Sequence, residues 1–430
     1  MTDSAGLGSP TARTTESTED HLVAVPDTPE LSAQIAELSS GTAEILPADG
    51  LADKLRAAAA QARPLRVKLG IDPSGTELTL GHAVVLRKLR QFQDFGHKAV
   101  LIVGDFTGRV GDPTGRNETR KVLTAEDTQN NSATYLDQVM SILRDEPELL
   151  EVRRNSEWLN EMTFGDVLGY SRLMTVARLL ERDDFNKRYN SGQPISLMEF
   201  MYPMMQGLDS VFIESDIELG GTDQTYNNLV GRTLQSQLGQ QGQVVITLPL
   251  LRGTDGAEKM GKSLSNWIGI EEPPNEQFGK VVSISDDLVQ HYAELCCAWP
   301  VAAIEASNAL LQQDPFAAKR AVAARIVELY HGPEAATEAS QWFDKKFRHR
   351  ELVEENLNEF GLAEEEQLSL IQLLVDTALC SSKGEAKRMV QSGAIRLNGD
   401  KVAAGTDMVI TTSLRGAVLQ RGKLQAVKLR

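Results

Sequence analysis

From Leu65 to Ile71 apolar and polar side chains alternate well enough for a buried strand, and Gly81 to Phe95 carries Val84, Val85, Leu89, Phe92 and Phe95 at helical spacing. Lys98 to Val103 reads as strand again, with Gly96 as the helix stop between them, so the three segments predict a βαβ unit. A second region repeats the pattern. Ile217 to Leu219 leads into Gly220-Gly221-Thr222-Asp223-Gln224 and a helix, and Val244 to Leu251 forms another apolar strand. Two such halves predict an α/β fold, a doubly wound Rossmann-type parallel sheet with its ligand at the strand C-termini. Beyond Pro273 and Pro274 a glycine-poor, alanine-rich stretch to about Phe347 reads as helical. Glu351 to Glu366 holds seven acids and no base, is broken by Gly361, and reads as a linker into a compact, basic α+β end. The expected organisation is a disordered tail over 1–30, the α/β domain over 31–270 with a connective insertion at about 125–205, a helical domain over 271–350, the acidic linker over 351–367 and the small domain over 368–430.

Composition changes this picture at the two ends. With 430 residues and 41% hydrophobic content the chain has material for two or three domains with real cores. No apolar run approaches the roughly 18 residues that a membrane span requires. The first 30 residues are rich in Ser, Thr and acids and lack the apolar core of a secretory signal, which predicts a cytoplasmic protein with no membrane partner. Cys296, Cys297 and Cys380 have neither zinc-site spacing nor an even disulfide count, so all three are expected to be structural. A net charge of −16 argues against a polyanionic partner unless bases are gathered locally. They are: Ser369 to Arg430 holds ten Lys or Arg against four Asp or Glu, a balance of +6 that leaves −22 for the rest. That end is a candidate nucleic-acid surface.

Two phosphate-handling signatures carry the chemistry. Lys68, Gly70 and Asp72 leave the first strand on one side, so one face of it is polar. Pro73-Ser74-Gly75 turns the chain, and Thr79-Leu-Gly81-His82 opens the helix where free amides and a partial positive charge favour phosphate. Far downstream, Lys259-Met-Gly-Lys262-Ser263 reads as a flexible loop able to clamp departing pyrophosphate. Gly256 to Ser263 also satisfies G-x-x-x-x-G-K-S, but a Walker-type loop must run straight into a long helix. Gly269, Pro273 and Pro274 leave room for barely two turns, so that match is read as accidental. Between the signatures, Asp112 lies in a glycine-rich loop and suits a substrate ammonium. Tyr202, Gln206 and Asp209 fall at i, i+4 and i+7, placing a phenol, an amide and a carboxylate on one helical face. Ser196 and Glu199 have capping-box spacing for that helix, while Pro203 is expected to kink it or reset its start.

Taken jointly, these segments resemble the tyrosyl-tRNA synthetases, a family of class I aminoacyl-tRNA synthetases, from about Leu31 to the C-terminus. Thr79 to His82 is similar to the family's HIGH motif, Lys259 to Ser263 to its KMSKS motif, and Gly220 to Gln224 to the segment that holds ribose and tyrosine. Asn155 with Trp158 matches a recurrent Asn-x-x-Trp segment, and Ser382 to Gly399 resembles a small RNA-binding module shared with a ribosomal small-subunit protein. The resemblance implies tyrosine activation by ATP, with Mg2+ on the ATP phosphates and no dedicated protein metal site, followed by transfer to tRNA(Tyr), in a homodimer. It implies catalytic roles for Thr79, His82, Lys259, Lys262 and Ser263. Gly70, Asp72, Ser74, Gly81, His82, Gly221, Asp223 and Lys262 would bind ATP. Asp112, Tyr202 and Gln206 would hold the tyrosine ammonium, Asp209 would accept the phenolic hydroxyl, and Lys68 and Gln224 would complete the tyrosine pocket. The helical domain would meet the anticodon, and Lys383, Lys387, Arg388 and Arg396 would meet RNA.

Three positions depart from the family pattern. Thr79 stands where the first histidine is expected, Gly261 replaces the loop serine, and Lys68 occupies the site of a tyrosine that contacts the substrate phenol. The Lys68 ammonium is expected to bond the phenol or pair with Asp209. Thr79 and Gly261 also suggest an alternative, a catalytically weakened RNA-binding or regulatory relative. A phosphate-loop NTPase is a third reading, and it predicts ATP hydrolysis without any amino acid.

Overall fold

The computed structural model describes residues 28–73, 75–114, 124–348, 357–362, 367–410, 414–422 and 425–430. Ser74, nearly all of the N-terminal tail and most of the acidic linker therefore lie outside the described residues. The chain divides into two compact units, one of residues up to 272 with 283–322, the other of 273–282 with 323–430.

In the first unit six strands, β1 (Glu44–Leu46), β2 (Arg66–Ile71), β3 (Lys98–Val103), β4 (Leu150–Arg154), β5 (Ile217–Gly221) and β6 (Val244–Leu248), form one sheet in the order β1-β6-β5-β2-β3-β4. Only β1 runs antiparallel, against β6. The other neighbours are parallel, in register Val67 opposite Ala99 and Ile217, for example. The interior strands β3, β5 and β6 are almost wholly buried, as expected of strands covered on both faces. The chain winds outward through β2, β3 and β4, then returns to β5 on the other side of β2. Connections leaving β2 and β5 thus diverge and open a crevice at their C-terminal ends.

The predicted βαβ unit appears with small shifts: β2, the helix Leu80–Asp94 and β3, with Gly96 at φ 82° after the helix. Strand β4 comes from within the 125–205 stretch and completes the sheet edge, so part of that stretch is sheet. Its pattern, Leu-Glu-Val-Arg-Arg, is half-buried and charged, which hides it from a search for apolar runs. The helix Leu197–Phe212 starts at the Ser196 cap, where Glu199 accepts the Ser196 amide at 3.0 Å, and runs through Pro203 without resetting. It packs Tyr202 and Met205 with Val100, Ile102 and Trp158 in one apolar cluster.

The second unit includes a five-stranded sheet in the order β10-β9-β12-β13-β7, of β7 (Asn358–Phe360), β9 (Ile395–Leu397), β10 (Asp400–Lys401), β12 (Val418–Arg421) and β13 (Gln425–Leu429), beside the pair β8 (Gln367–Ser369) and β11 (Met408–Ile410). Strand β7 lies inside the acidic stretch read as a linker and pairs in parallel with β13. The helices Leu370–Asp376 and Lys383–Gln391 cover a core of Leu374, Ala386, Ile395, Leu419 and Leu429. All three cysteines are buried, and none is in a disulfide among the described residues.

Candidate active site at the crossover of the parallel sheet

The crevice holds a cavity of about 1030 Å³ whose walls include Gly70, Asp72, Thr79, Gly81, His82, Asp112, Tyr202, Gln206, Asp209, Gly221, Asp223, Gln224, Lys259 and Ser263. The two signatures, 180 residues apart in sequence, thus face one space. Backbone bonds bring them together: the Leu80 amide donates to the Ile268 carbonyl at 2.9 Å and the Ile270 amide to the Leu78 carbonyl at 3.0 Å.

At the helix start the Thr79 amide donates to His82 Nδ1 at 3.1 Å, and the Thr79 hydroxyl lies 2.8 Å from the same nitrogen. A backbone N–H can only donate, so Nδ1 is the acceptor and the imidazole proton sits on Nε2. The ring is accessible from the cavity yet surrounded by protein, and this burial, with the Lys262 charge second, lowers its pKa to about 4. His82 is therefore a neutral donor at neutral pH. Thr79 is buried, and its hydroxyl is engaged with His82.

In the late loop Lys259 Nζ lies 2.6 Å from Asp223 Oδ2. Lys262 makes no ion pair among the described residues; its ammonium sits 5.6 Å from the Tyr135 ring centroid, and burial lowers its pKa. Residues Lys262–Leu264 form a single 3₁₀ turn, and the next helix begins only at Pro274. This geometry does not fit a Walker-type loop. Asn266, buried and unflagged by sequence, clasps the loop: its Oδ1 accepts the Gly261 amide at 2.8 Å and its Nδ2 donates to Asp255 at 2.9 Å.

The polar face of β2 turns toward the 197–212 helix. Tyr202 donates its hydroxyl to Asp72 Oδ2 at 2.8 Å, and Thr107 donates to Oδ1 at 2.7 Å. Close approach is possible because residue 104 is glycine; a Cβ there would stand 2.0 Å from Asp72 Oδ1. Asp209 is buried, with Trp158 Nε1 donating to Oδ1 at 2.9 Å and Asn155 Nδ2 3.4 Å from Oδ2. Burial outweighs these donors and the nearby Lys68 charge, and pushes the Asp209 carboxyl up to about 7. The Asn-x-x-Trp pattern is thus a cradle for one carboxylate. Asp112 accepts from the Thr114 hydroxyl at 2.6 Å and from Gln224 Nε2 at 2.7 Å. Arg182, buried and missed by sequence because nothing in its surroundings is periodic, bonds Thr114 at 2.8 Å and Asn227 at 3.1 Å behind this loop.

Lys68 corrects an expectation. Its ammonium is fully buried and donates to Gln206 O at 2.9 Å, Ser210 Oγ at 2.8 Å and Glu218 Oε1 at 2.9 Å. All three N–H groups are spent, and the counter-charge is Glu218 rather than Asp209, so no proton remains for a phenol. Glu218 had no sequence signal beyond being a charge inside an apolar strand. Replacing Lys68 by methionine should cost about 3–5 kcal/mol of stability, because it strands a buried carboxylate. Chemical denaturation checks this, and Lys68→Met with Glu218→Gln together should recover most of the loss.

Residues 60–348 match the family described as tRNA synthetases class I (W and Y). The chain belongs to this family. Residues 351–425 match the C-terminal domain described as tyrosine–tRNA ligase SYY-like. The tyrosine–tRNA ligase of Salinibacter ruber is 46% identical over 404 residues, covering 94% of this chain and 97% of its own length, and that of Moorella thermoacetica is 45% identical over 93% and 96%. Among solved structures, a C-terminally truncated mitochondrial tyrosyl-tRNA synthetase of Aspergillus nidulans superposes with a TM-score of 0.60 at 22% identity, covering 74% of this chain and 94% of that one. The enzyme of Archaeoglobus fulgidus, solved with L-tyrosine, gives 0.57 at 20% identity over 72% and 99%. These structural likenesses establish the class I synthetase fold. In the C-terminal domain, Lys383, Lys387 and Arg388 are exposed on the Lys383–Gln391 helix, and Arg396 is half-buried on β9 with Nη1 on the Gly399 carbonyl at 2.7 Å.

Proposed function

We propose that this chain is a tyrosine–tRNA ligase. A carboxylate oxygen of L-tyrosine attacks the α-phosphorus of ATP, the bond to the bridging oxygen breaks, and pyrophosphate leaves with its Mg2+. The terminal ribose hydroxyl of tRNA(Tyr) then attacks the acyl carbon, and AMP departs. Positioning and charge stabilisation carry both steps, so no covalent enzyme intermediate is needed. The observation that supports this reading is the pairing, in one cavity, of three acceptors with a separate buried carboxylate. Asp112 is anionic, the Tyr202 oxygen has its proton committed to Asp72, and Gln206 has both N–H groups committed to Glu218 at 3.1 Å and Asn228 at 2.9 Å, leaving Oε1 as an acceptor. Three acceptors suit an ammonium. Asp209, in its Trp158 and Asn155 cradle, suits a phenolic hydroxyl. His82 Nε2–H, Lys262 and the helix start suit phosphate, and Asp223 suits the ribose.

In this reading the helical region 271–350 meets the anticodon and Lys383, Lys387, Arg388 and Arg396 meet RNA, in a cytoplasmic homodimer. Tyrosine-dependent exchange of pyrophosphate into ATP, followed by charging of tRNA(Tyr), is the expected result. Absence of exchange with every amino acid would indicate a binding-only relative, and ATP hydrolysis without an amino acid would indicate an NTPase.

A further inference from the structure

Asn228 lies on the Thr225–Gln237 helix, lines the cavity, and is 1% exposed. The orientation of its amide follows from a chain of charges. Lys68 holds Glu218 as a carboxylate at 2.9 Å, and a carboxylate can only accept. The Gln206 group facing Glu218 at 3.1 Å is therefore NH₂, and the Asn228 atom 2.9 Å from that same nitrogen must be the oxygen. Asn228 Nδ2 is thereby turned the other way. It is buried and has no hydrogen-bond partner among the described residues. Such a donor costs free energy unless something else accepts from it. Beside it lies Gly220, another wall residue, where a Cβ would come within 2.7 Å of Nδ2; glycine keeps the space next to the donor free of a side chain.

We infer that Asn228 is a further substrate-binding residue, whose Nδ2–H donates to a carboxylate oxygen of the bound amino acid. The inference rests on the tyrosine-activating reading of the site. Gln206 presents an acceptor to the cavity while its neighbour Asn228 carries an unspent donor, a couple that matches the ammonium and carboxylate of one zwitterion. As the carboxylate becomes the acyl phosphate, the same donor stays with its carbonyl oxygen and fixes the attack geometry.

The test compares L-tyrosine with tyramine, which keeps the phenol and ammonium but has no carboxylate, by equilibrium dialysis on the full chain. Asn228→Leu preserves bulk and Asn228→Ala adds space; both delete the donor. L-Tyrosine affinity should fall about ten- to hundredfold in both variants while tyramine affinity stays within about threefold. A parallel loss of both ligands, or no loss of either, overturns the assignment, and if one variant does not fold the other decides. Wild-type protein that binds neither ligand would instead overturn the tyrosine reading itself.

Discussion

Asp209→Asn should lower kcat/KM for tyrosine by about one to two orders of magnitude, the value of a hydrogen bond to a charged acceptor. The same change should narrow discrimination against phenylalanine. An empty place opposite a buried carboxylate is what rejects the ligand lacking a hydroxyl, and this enzyme class is itself the reference case for such rejection, about 10⁵. Asparagine keeps one oxygen for Trp158 but turns an NH₂ toward Asn155 or the substrate, so the phenol meets a donor where it needs an acceptor. Kinetics with both amino acids measure this; an unchanged ratio removes Asp209 from the phenol site.

The same substitution should raise stability in a pH-dependent way. The Asp209 carboxyl titrates at about 7 when folded against an ordinary 3.8, because burial disfavours its charge. The folded protein therefore holds a proton that the unfolded chain releases. The contribution is fully stabilising below about pH 4 and is lost as pH rises through 7, beyond which a buried charge is a net cost. Asparagine carries no charge, so Asp209→Asn should raise Tm most at pH 8 and by a clearly smaller amount at pH 5, where only the first part of the loss between pH 4 and 7 has occurred. A carboxylate that costs stability in the empty site and gains a donor when tyrosine binds is an exchange of stability for specificity. Equal Tm differences at both pH values would exclude it.

Lys262→Ala is the second large effect. Lys259 is already balanced by Asp223 at 2.6 Å, whereas Lys262 pairs with no carboxylate among the described residues and lies close to His82. Its charge is available for the negative charge that builds as pyrophosphate departs. Removing a donor that acts on transition-state charge typically costs 10²–10³ in rate, and tyrosine affinity should change less than about twofold because that contact is absent in the ground state. Single-turnover adenylate formation and tyrosine binding separate the two quantities. Equal losses in both would give Lys262 a binding role instead. Lys259→Ala should have the smaller effect on rate, since its loss also frees Asp223.

Much of this site is legible in one dimension because local physics writes it there. The βαβ pattern around Thr79–His82 follows from apolar periodicity, and the glycines around it follow from the need to turn at strand ends. The Tyr202, Gln206, Asp209 stripe is visible because a polar face on an otherwise apolar helix has no place in a plain core. The acidic stretch misleads at β7, because three residues of an edge strand carry too few side chains to show an alternation.

What the sequence determines alone is the presence of each piece: the parallel strands, the helix start, the lysine loop, the polar stripe and the basic end. Each depends on neighbours within a few residues. Tertiary structure alone decides who answers whom. Lys68 reads as a free cation near a phenol until Glu218, 150 residues away, takes its charge. Asp209 titrates near neutral pH only because the fold buries it, against the opposing pull of the Trp158 and Asn155 donors, and the Asn228 amide acquires a direction only through Glu218 and Gln206. Such assignments depend on burial and on which donor meets which acceptor, and those are properties of contacts between distant segments.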